Sequence, residues 1–385
     1  MATYDVVVVG LGAMGSAAAY HLSRNGARVL GIDQFAPPHA FGSSTGDTRI
    51  TRTAVAEGSA YVPLVQRSHE LWRELEARTG LELFVQCGGL VMGVPDSTGQ
   101  HGIDHFAAAT REVAVAHGIP HEVLGPTEIK DRFGVFDVTD EIGCFEPTAG
   151  YLLAASCIAA HLGEARRLGA EIHTTERVLA WSSNGTSVVV DTDRGAYDAA
   201  SMVVAAGPWV PRVLPELASI FSVQRQVQFW FDAGPKIKEY RALPIYIWMH
   251  GAGPGDYLYG FPARASDGVG VKVATEVMGD ATTPEGVDRT VGTEEVTAMH
   301  ARHVAGRFVG LSATCTRSAV CLYTVTPDFG FVIDVHPEHG NVIIASPCSG
   351  HGFKHSAAVG ECVAQMAVGA RPDIDLAPFS IRRFG

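Results

Sequence analysis

Residues 6–15 read Val6-Val7-Val8-Val9-Gly10-Leu11-Gly12-Ala13-Met14-Gly15, and this run decides the fold. Four β-branched residues in succession fit a strand buried on both faces. The glycines then fall where a strand turns into a helix. Gly10 permits the tight turn, Gly12 lets backbone approach a pyrophosphate, and Gly15 allows close helix–strand packing. Residues 16–24 have helical character, Gly26 follows, and 28–32 read as a second strand ending at Asp33. The result is a βαβ unit whose helix start offers free N–H groups and partial positive charge to phosphates. Asp33 has the spacing of an acceptor for an adenosine ribose and argues for ribose hydroxyls over a 2′-phosphate. The motif does not separate FAD from NAD.

Outward from this unit, a polar loop over 37–57 precedes an amphipathic helix predicted over 61–78, with Leu64, Val65, Leu71, Trp72 and Leu75 on one face and Gly80 as its stop. Residues 84–143 mix strand and helix without a dinucleotide signature. A helix over 154–168, a strand over 171–175 and a run over 202–206 before Gly207 restore the first style. Residues 224–315 again read as strands and turns. The end of the chain reads as strands at 331–334 and 341–345, a glycine loop, and a helix over 354–368. Two interleaved domains are therefore expected. A doubly wound domain takes residues 1–83, 144–222 and 316–385; an α+β substrate domain with a mixed sheet takes residues 84–143 and 223–315.

With 385 residues, 46% of them apolar and only 18% charged, the composition describes a compact enzyme with a large core. A net charge of −12 argues against nucleic-acid binding. The seven cysteines are odd in number and never spaced as CxxC, so neither a disulfide framework nor a metal site is expected. No apolar run approaches a membrane span, and no leader precedes the first strand; the expectation is a cytoplasmic monomer.

Near the C-terminus stand Cys321-Leu322-Tyr323-Thr324-Val325-Thr326-Pro327-Asp328, Phe331-Val332-Ile333-Asp334, His336-Pro337-Glu338 and Ser349-Gly350-His351-Gly352-Phe353-Lys354. Near the N-terminus stand Gly46-Asp47-Thr48-Arg49-Ile50-Thr51-Arg52, Glu57-Gly58 and Tyr61-Val62-Pro63-Leu64. Together these closely resemble the monomeric sarcosine oxidase and N-methyltryptophan oxidase family, through nearly the whole length of the chain. The resemblance implies a glutathione-reductase-type FAD domain and oxidation of a secondary or N-methyl amino acid to an imine, with dioxygen reduced to hydrogen peroxide.

It also implies residue roles. Cys321 is expected to carry the flavin covalently, although a free cysteine is more usually a buried structural one. Thr45, Arg49, Gly207, Gly350, Gly352, Phe353 and Lys354 join Gly10, Gly12, Gly15 and Asp33 as cofactor contacts. Lys354 sits at a helix start, where a cation is misplaced unless it has an anionic partner, and the family suggests a substrate carboxylate. Arg52 is expected to fork onto that carboxylate, with Gly350 and Glu276 nearby. Lys272 matches the family's oxygen-activating lysine, while Tyr259 and Tyr323 match aromatic pocket residues.

Two positions depart from the pattern: Thr45 and Glu276 stand where histidines are expected. If residues 272–276 form one strand, Lys272 and Glu276 share a face about 13 Å apart. An anion at 276 should disfavour a substrate carboxylate, which puts sarcosine itself in question. The rival readings are a dehydrogenase passing electrons to a quinone or carrier, against which Lys272 argues, and a non-catalytic dinucleotide-binding module, which leaves the pocket cations unexplained.

Overall fold

In the computed structural model, which describes residues 4–97 and 99–385, the opening run does form the central strand Tyr4–Val9. It pairs in parallel with Val29–Asp33 on one side and Ala196–Val204 on the other, and Glu171–Thr174 extends the sheet beyond Val29–Asp33. The long strand Ala196–Val204 divides its outer edge. Residues 196–199 pair with the antiparallel hairpin of Val178–Ser183 and Val188–Thr192, and 202–204 pair with Val342–Ser346, which in turn pairs with Val332–Val335.

The β-branched run is buried on both faces, as its composition requires. Val6 and Val8 pack under the helices Ala13–Arg24, Val62–Thr79, Ala154–Arg167 and Ser356–Ala367. Val7 and Val9 pack with Val210, Leu214, Phe221 and Ile381 on the opposite face. Gly80 stops the second helix in the left-handed conformation, with φ of 70°.

The second sheet runs in the order Cys315–Val325, Ser222–Asp232, Gly270–Ala274, Tyr257–Gly260, Ile245–Met249, Gly89–Gly93, Ile142–Glu146 and Glu122–Leu124. Its pairs are antiparallel except Ile245–Met249 with Gly89–Gly93, so the sheet is mixed, as expected. One face buries Phe229, Phe231, Tyr246, Trp248 and Leu258 beneath short helices. The other presents Gln228, Ile247, Tyr259, Lys272 and Tyr323 to a cleft shared with the first sheet's glycine turn.

Strand pairing moves two of the expected domain boundaries. Ile142–Glu146 and Cys315–Val325, both assigned by sequence mainly to the dinucleotide part, belong to the second sheet. Cys315–Val325 pairs along its length with Ser222–Asp232, so the cysteine motif reaches the cleft from the sheet above it. Among the described residues no helix is long and apolar enough to cross a membrane, and no cluster of potential metal ligands occurs.

Helices Ala13–Arg24 and Ser356–Ala367 touch at Gly360, where a β-carbon would lie 2.4 Å from Ala17 Cβ and 2.8 Å from Ala18 N. Helix propensity favours alanine over glycine by about 1 kcal/mol. Overpacking against backbone that cannot yield typically opposes this with about 1–3 kcal/mol. Gly360→Ala should therefore lower the thermal midpoint, and an unchanged or higher midpoint would show that the crossing relaxes freely.

Candidate active site

The cleft encloses about 1830 Å³ of empty space, part of it open to solvent, and runs from the glycine turn to the second sheet. Its lining joins the glycine turn of the first sheet to the polar and aromatic wall of the second. The three glycines have separable reasons. Gly10 has φ of 88°, and a β-carbon there would meet Ala205 O at 2.6 Å; one on Gly15 would meet Gly10 O at 1.7 Å. A β-carbon on Gly12 would find only Ser44 Oγ, at 3.8 Å, so this backbone faces the open cleft. Helix Ala13–Arg24 starts there with no side-chain cap and no acid in its first turn. A free helix start opening onto a glycine-lined cleft is what a pyrophosphate needs.

Asp33 lines the same wall, but its carboxylate also does structural work. Its two oxygens accept the Leu11 and Phe35 N–H groups, each at 2.8 Å, tying the turn to the second strand. Gly207 lines the cleft with φ of 53° and nothing near its missing β-carbon.

The C-terminal glycine loop closes the middle of the cleft. A β-carbon on Gly352 would lie 1.5 Å from Pro347 O. Phe353 and Lys354 follow in a 3₁₀ turn that leads into Ser356–Ala367. The Arg49 guanidinium sits 5.9 Å from the Phe353 ring centre and is held by the carbonyls of Ser43, Thr45 and Thr48. Thr45 thus contributes its carbonyl to Arg49 and is not among the residues lining the cleft.

Lys272 donates to Gly46 O at 2.5 Å and Thr48 O at 3.1 Å, and lies 4.4 Å from the Phe261 ring centre. Burial, then the nearby Arg49, push its pKa well down. Cys321 is fully buried. It shares a strand face with Tyr323, which does line the cleft, and its Sγ lies 3.7 Å from Gln228 Nε2. Burial raises the thiol's pKa, while Arg49 and Lys272 oppose that rise. Cys348, which the sequence reading passed over, is the thiol on the cleft wall.

At the far end the structure changes the sequence picture most. Arg52 and Lys354 meet, but around Glu57. Arg52 Nη2 donates to Glu57 Oε2 at 2.9 Å, and Nη1 donates to Ala54 O. Lys354 Nζ donates to His351 O at 2.9 Å and to Glu57 Oε1 at 3.4 Å. The anionic partner inferred for Lys354 is therefore present in the chain. Each terminal nitrogen of Arg52 thus spends one of its two N–H groups inside the chain, on Ala54 O and on Glu57. Its Nε is the buried group without a partner.

Glu276 does face the pocket, although the strand Gly270–Ala274 ends before it and the shared-face argument lapses. Its two oxygens lie 3.0 and 2.9 Å from His101 Nε2, and the Tyr257 hydroxyl donates to Oε2 at 3.0 Å. His101 Nδ1 lies 3.7 Å from Glu57 Oε1. Sequence gave His101 no signal, because its partner is 175 residues away. Glu57 stood in the quoted motif without a role.

Burial works against charge on all of these groups, but the pairing outweighs it for three of them. Arg52 and Lys354 hold the Glu57 carboxyl well below the ordinary range despite its burial. His101 does the same for Glu276. Glu276 and Glu57 push His101 up to about 9. For Lys354 burial and Arg52 win over Glu57, and its pKa falls to about 8. Burial keeps His351 neutral. At neutral pH three cations, Arg52, Lys354 and His101, thus face two anions, Glu57 and Glu276. The expected repulsion of a carboxylate by Glu276 is cancelled by His101.

The model of the family of FAD dependent oxidoreductases matches residues 5–366. The chain is 42% identical to the monomeric sarcosine oxidase of Streptomyces avermitilis, covering 95% of this chain and 94% of that one. It is 36% identical to the N-methyl-L-tryptophan oxidase of Yersinia pestis, with 99% of each chain covered. Among solved structures, NikD, an unusual amino acid oxidase of nikkomycin biosynthesis, superposes with a TM-score of 0.84 at 22% identity, covering 98% of this chain and 97% of that one.

The charge on Lys354 gives the site a pH signature. A monocarboxylate such as acetate should bind with a Kd that is level near neutrality and rises about tenfold per pH unit above about 8, where Lys354 loses its proton. The rise should steepen above about 9, where His101 follows. Lys354→Met should bind acetate more weakly and lose the first break. Calorimetric titration of both proteins from about pH 6 to about pH 10 checks this; a break that survives in Lys354→Met would assign it to another group.

Proposed function

The chain belongs to the FAD-dependent oxidoreductase family, and from that premise we propose that it oxidises secondary or N-methyl amino acids to imines, with dioxygen reduced to hydrogen peroxide. FAD supplies the two-electron chemistry, taking a hydride equivalent from the carbon beside the amine nitrogen and passing the electrons to oxygen. The observation that carries the reading is the pocket at the end of the cofactor cleft, whose cations outnumber its anions by one. One carboxylate neutralises it.

The residues then have these parts. The Gly10–Gly15 turn and the free start of helix Ala13–Arg24 hold the pyrophosphate, and Asp33 holds the turn and the ribose. The loop of Gly350, Gly352, Phe353 and Lys354, which leads into a helix start, would hold the flavin part of FAD and favour negative charge on it. The charges of Arg52 and Lys354 orient the substrate carboxylate. The same cations favour the neutral amine over the ammonium, and only the neutral amine can give up hydride equivalents. Tyr259 and Tyr323 wall the pocket. Lys272, with its pKa pushed down, is poised to take up a proton as negative charge enters the cleft, which makes it the electrostatic partner for oxygen. Cys321 is the proposed covalent anchor, supported by its motif and by the cations that offset the burial of its thiol. The relatives' name "monomeric" supports a monomer, and seven free cysteines support a reducing, cytoplasmic setting.

Three measurements test this reading. Purified yellow protein should release peroxide with a member of a panel of N-methyl, cyclic and aromatic amino acids; silence across the panel would remove the oxidase assignment. Acid precipitation should leave the flavin in the pellet, and Cys321→Ala should free it. Lys272→Met should slow reoxidation of the reduced enzyme by oxygen at least about a hundredfold, the scale of losing one electrostatic stabiliser of developing negative charge, while anaerobic reduction changes less. Stopped-flow absorbance separates the two half-reactions, and equal reoxidation rates would take Lys272 out of the oxygen step.

A further inference from the structure

Gln100 and Ile103 exchange backbone hydrogen bonds at 3.0 and 2.9 Å, which makes residues 100–103 a two-residue hairpin with His101 and Gly102 at its tip. Both tip residues have positive φ, 52° and 75°, as a tight hairpin turn requires. Glycine takes this conformation freely, but histidine is strained in it. The strained tip carries the imidazole to the pocket end of the cleft. There the side chain is 4% exposed and every charged group facing it is a carboxylate, Glu276 on one nitrogen and Glu57 beside the other. Around it lie the rings of Phe106, Phe329 and the neutral His351, with the Gln100 amide 3.5 Å from its Nε2.

Glu276 is equally committed. Both its oxygens have partners, His101 on each and the Tyr257 hydroxyl on Oε2. The backbone is shaped around this pair. Gly350 has φ of 87°, and a β-carbon on it would meet Glu276 Oε1 at 2.7 Å, Tyr323 Cε2 at 2.9 Å and His101 Nε2 at 3.0 Å. The ion pair therefore rests on the glycine loop that walls the cofactor cleft. His101 Nδ1 has no hydrogen-bond partner, nor has Arg52 Nε, and both are buried beside Glu57.

We propose that His101 and Glu276 are specificity-determining residues that set the pocket's charge to match a substrate with one carboxylate, and so select neutral amino acids over acidic ones. The inference rests on the amino-acid oxidase reading and sharpens its substrate class. With the pair intact, Arg52, Lys354 and His101 against Glu57 and Glu276 leave a single positive charge. Removing His101 alone brings the cluster to zero at a pH high enough to keep the buried, unpaired Glu276 ionised. Removing the charge of Glu276 alone brings it to two at a pH low enough to keep His101 protonated without that partner. Removing both returns it to one. These three states make an order of affinities that a purely structural role for the hairpin does not produce.

The test is ligand binding to the flavin-loaded enzyme, read by flavin absorbance, with acetate, the neutral acetamide and the dianion malonate. His101→Gln should weaken acetate about a hundredfold, the scale of one unit charge at contact range in a partly polar interior. Acetamide should change little. The double variant His101→Gln/Glu276→Gln should regain most of the lost acetate affinity. Glu276→Gln alone should shift preference from acetate towards malonate by at least about tenfold. Equal losses for acetate and acetamide, or a double variant no better than His101→Gln, would mean that the pair only holds the hairpin. If His101→Gln fails to retain flavin, the acetate-to-malonate preference of Glu276→Gln decides alone, and an unchanged preference overturns the proposal. Because these measurements need no turnover, they can succeed even if no amine is oxidised, in which case the oxidase reading falls and the charge assignment stands.

Discussion

The site depends on one buried carboxylate. Glu57 is 4% exposed and draws together three segments far apart in sequence: the loop of Arg52, the hairpin of His101, and the glycine loop of His351 and Lys354. Without it, Arg52 and Lys354 would lose their shared counter-charge in a poorly polarisable interior. Breaking a buried pair by deleting one partner typically costs about 3–5 kcal/mol, because the survivor keeps its desolvation penalty and loses its compensation. Glu57 thus makes it possible to bury positive charge beside the cofactor cleft before any ligand arrives.

The two sheets explain how such a cluster lies against a dinucleotide cleft. The first sheet supplies the glycine turn, and its helix crossing at Gly360 fixes where the C-terminal helix begins. The second sheet supplies a wall of alternating side chains, with Tyr259, Lys272 and Tyr323 towards the cleft and Phe229, Phe231 and Tyr246 in its core. Strand Cys315–Val325 joins the two functions. Its residues pair with Ser222–Asp232 in the upper sheet, while Ser349 N donates to Thr324 O and Thr324 N donates to Cys348 Sγ, so it grips the lower domain's glycine loop.

What was legible in the sequence is what short-range physics encodes. The valine run, the glycine turn, Asp33 and the amphipathic helix ending at Gly80 each depend on neighbours within a few turns of chain, and each stands where it was read. That Ile142–Glu146 and Cys315–Val325 pair in the second sheet was not legible, because a strand's own residues do not name its pairing partner. His101 was invisible for a stronger reason. Nothing near it in sequence is acidic in the required place, and the hairpin that presents it is a local conformation that histidine does not favour. Glu276 was visible as a departure, but its counter-charge, His101, was not, and a charge can be weighed only with its counter-charge.

The same reasoning bears on Arg52. Sequence suggests a guanidinium free to grip a carboxylate with both terminal nitrogens, whereas the structure has those nitrogens on Glu57 and Ala54 O. A fully free buried guanidinium would be an uncompensated charge in the empty pocket, so some internal acceptor is required. Glu57 meets that requirement from one side and leaves Nε, beside the ring of Phe106, without a partner. An arriving carboxylate then need not displace the internal ion pair. It can answer the surplus charge, and the strength with which it does so is set by the residues that balance the cluster around it.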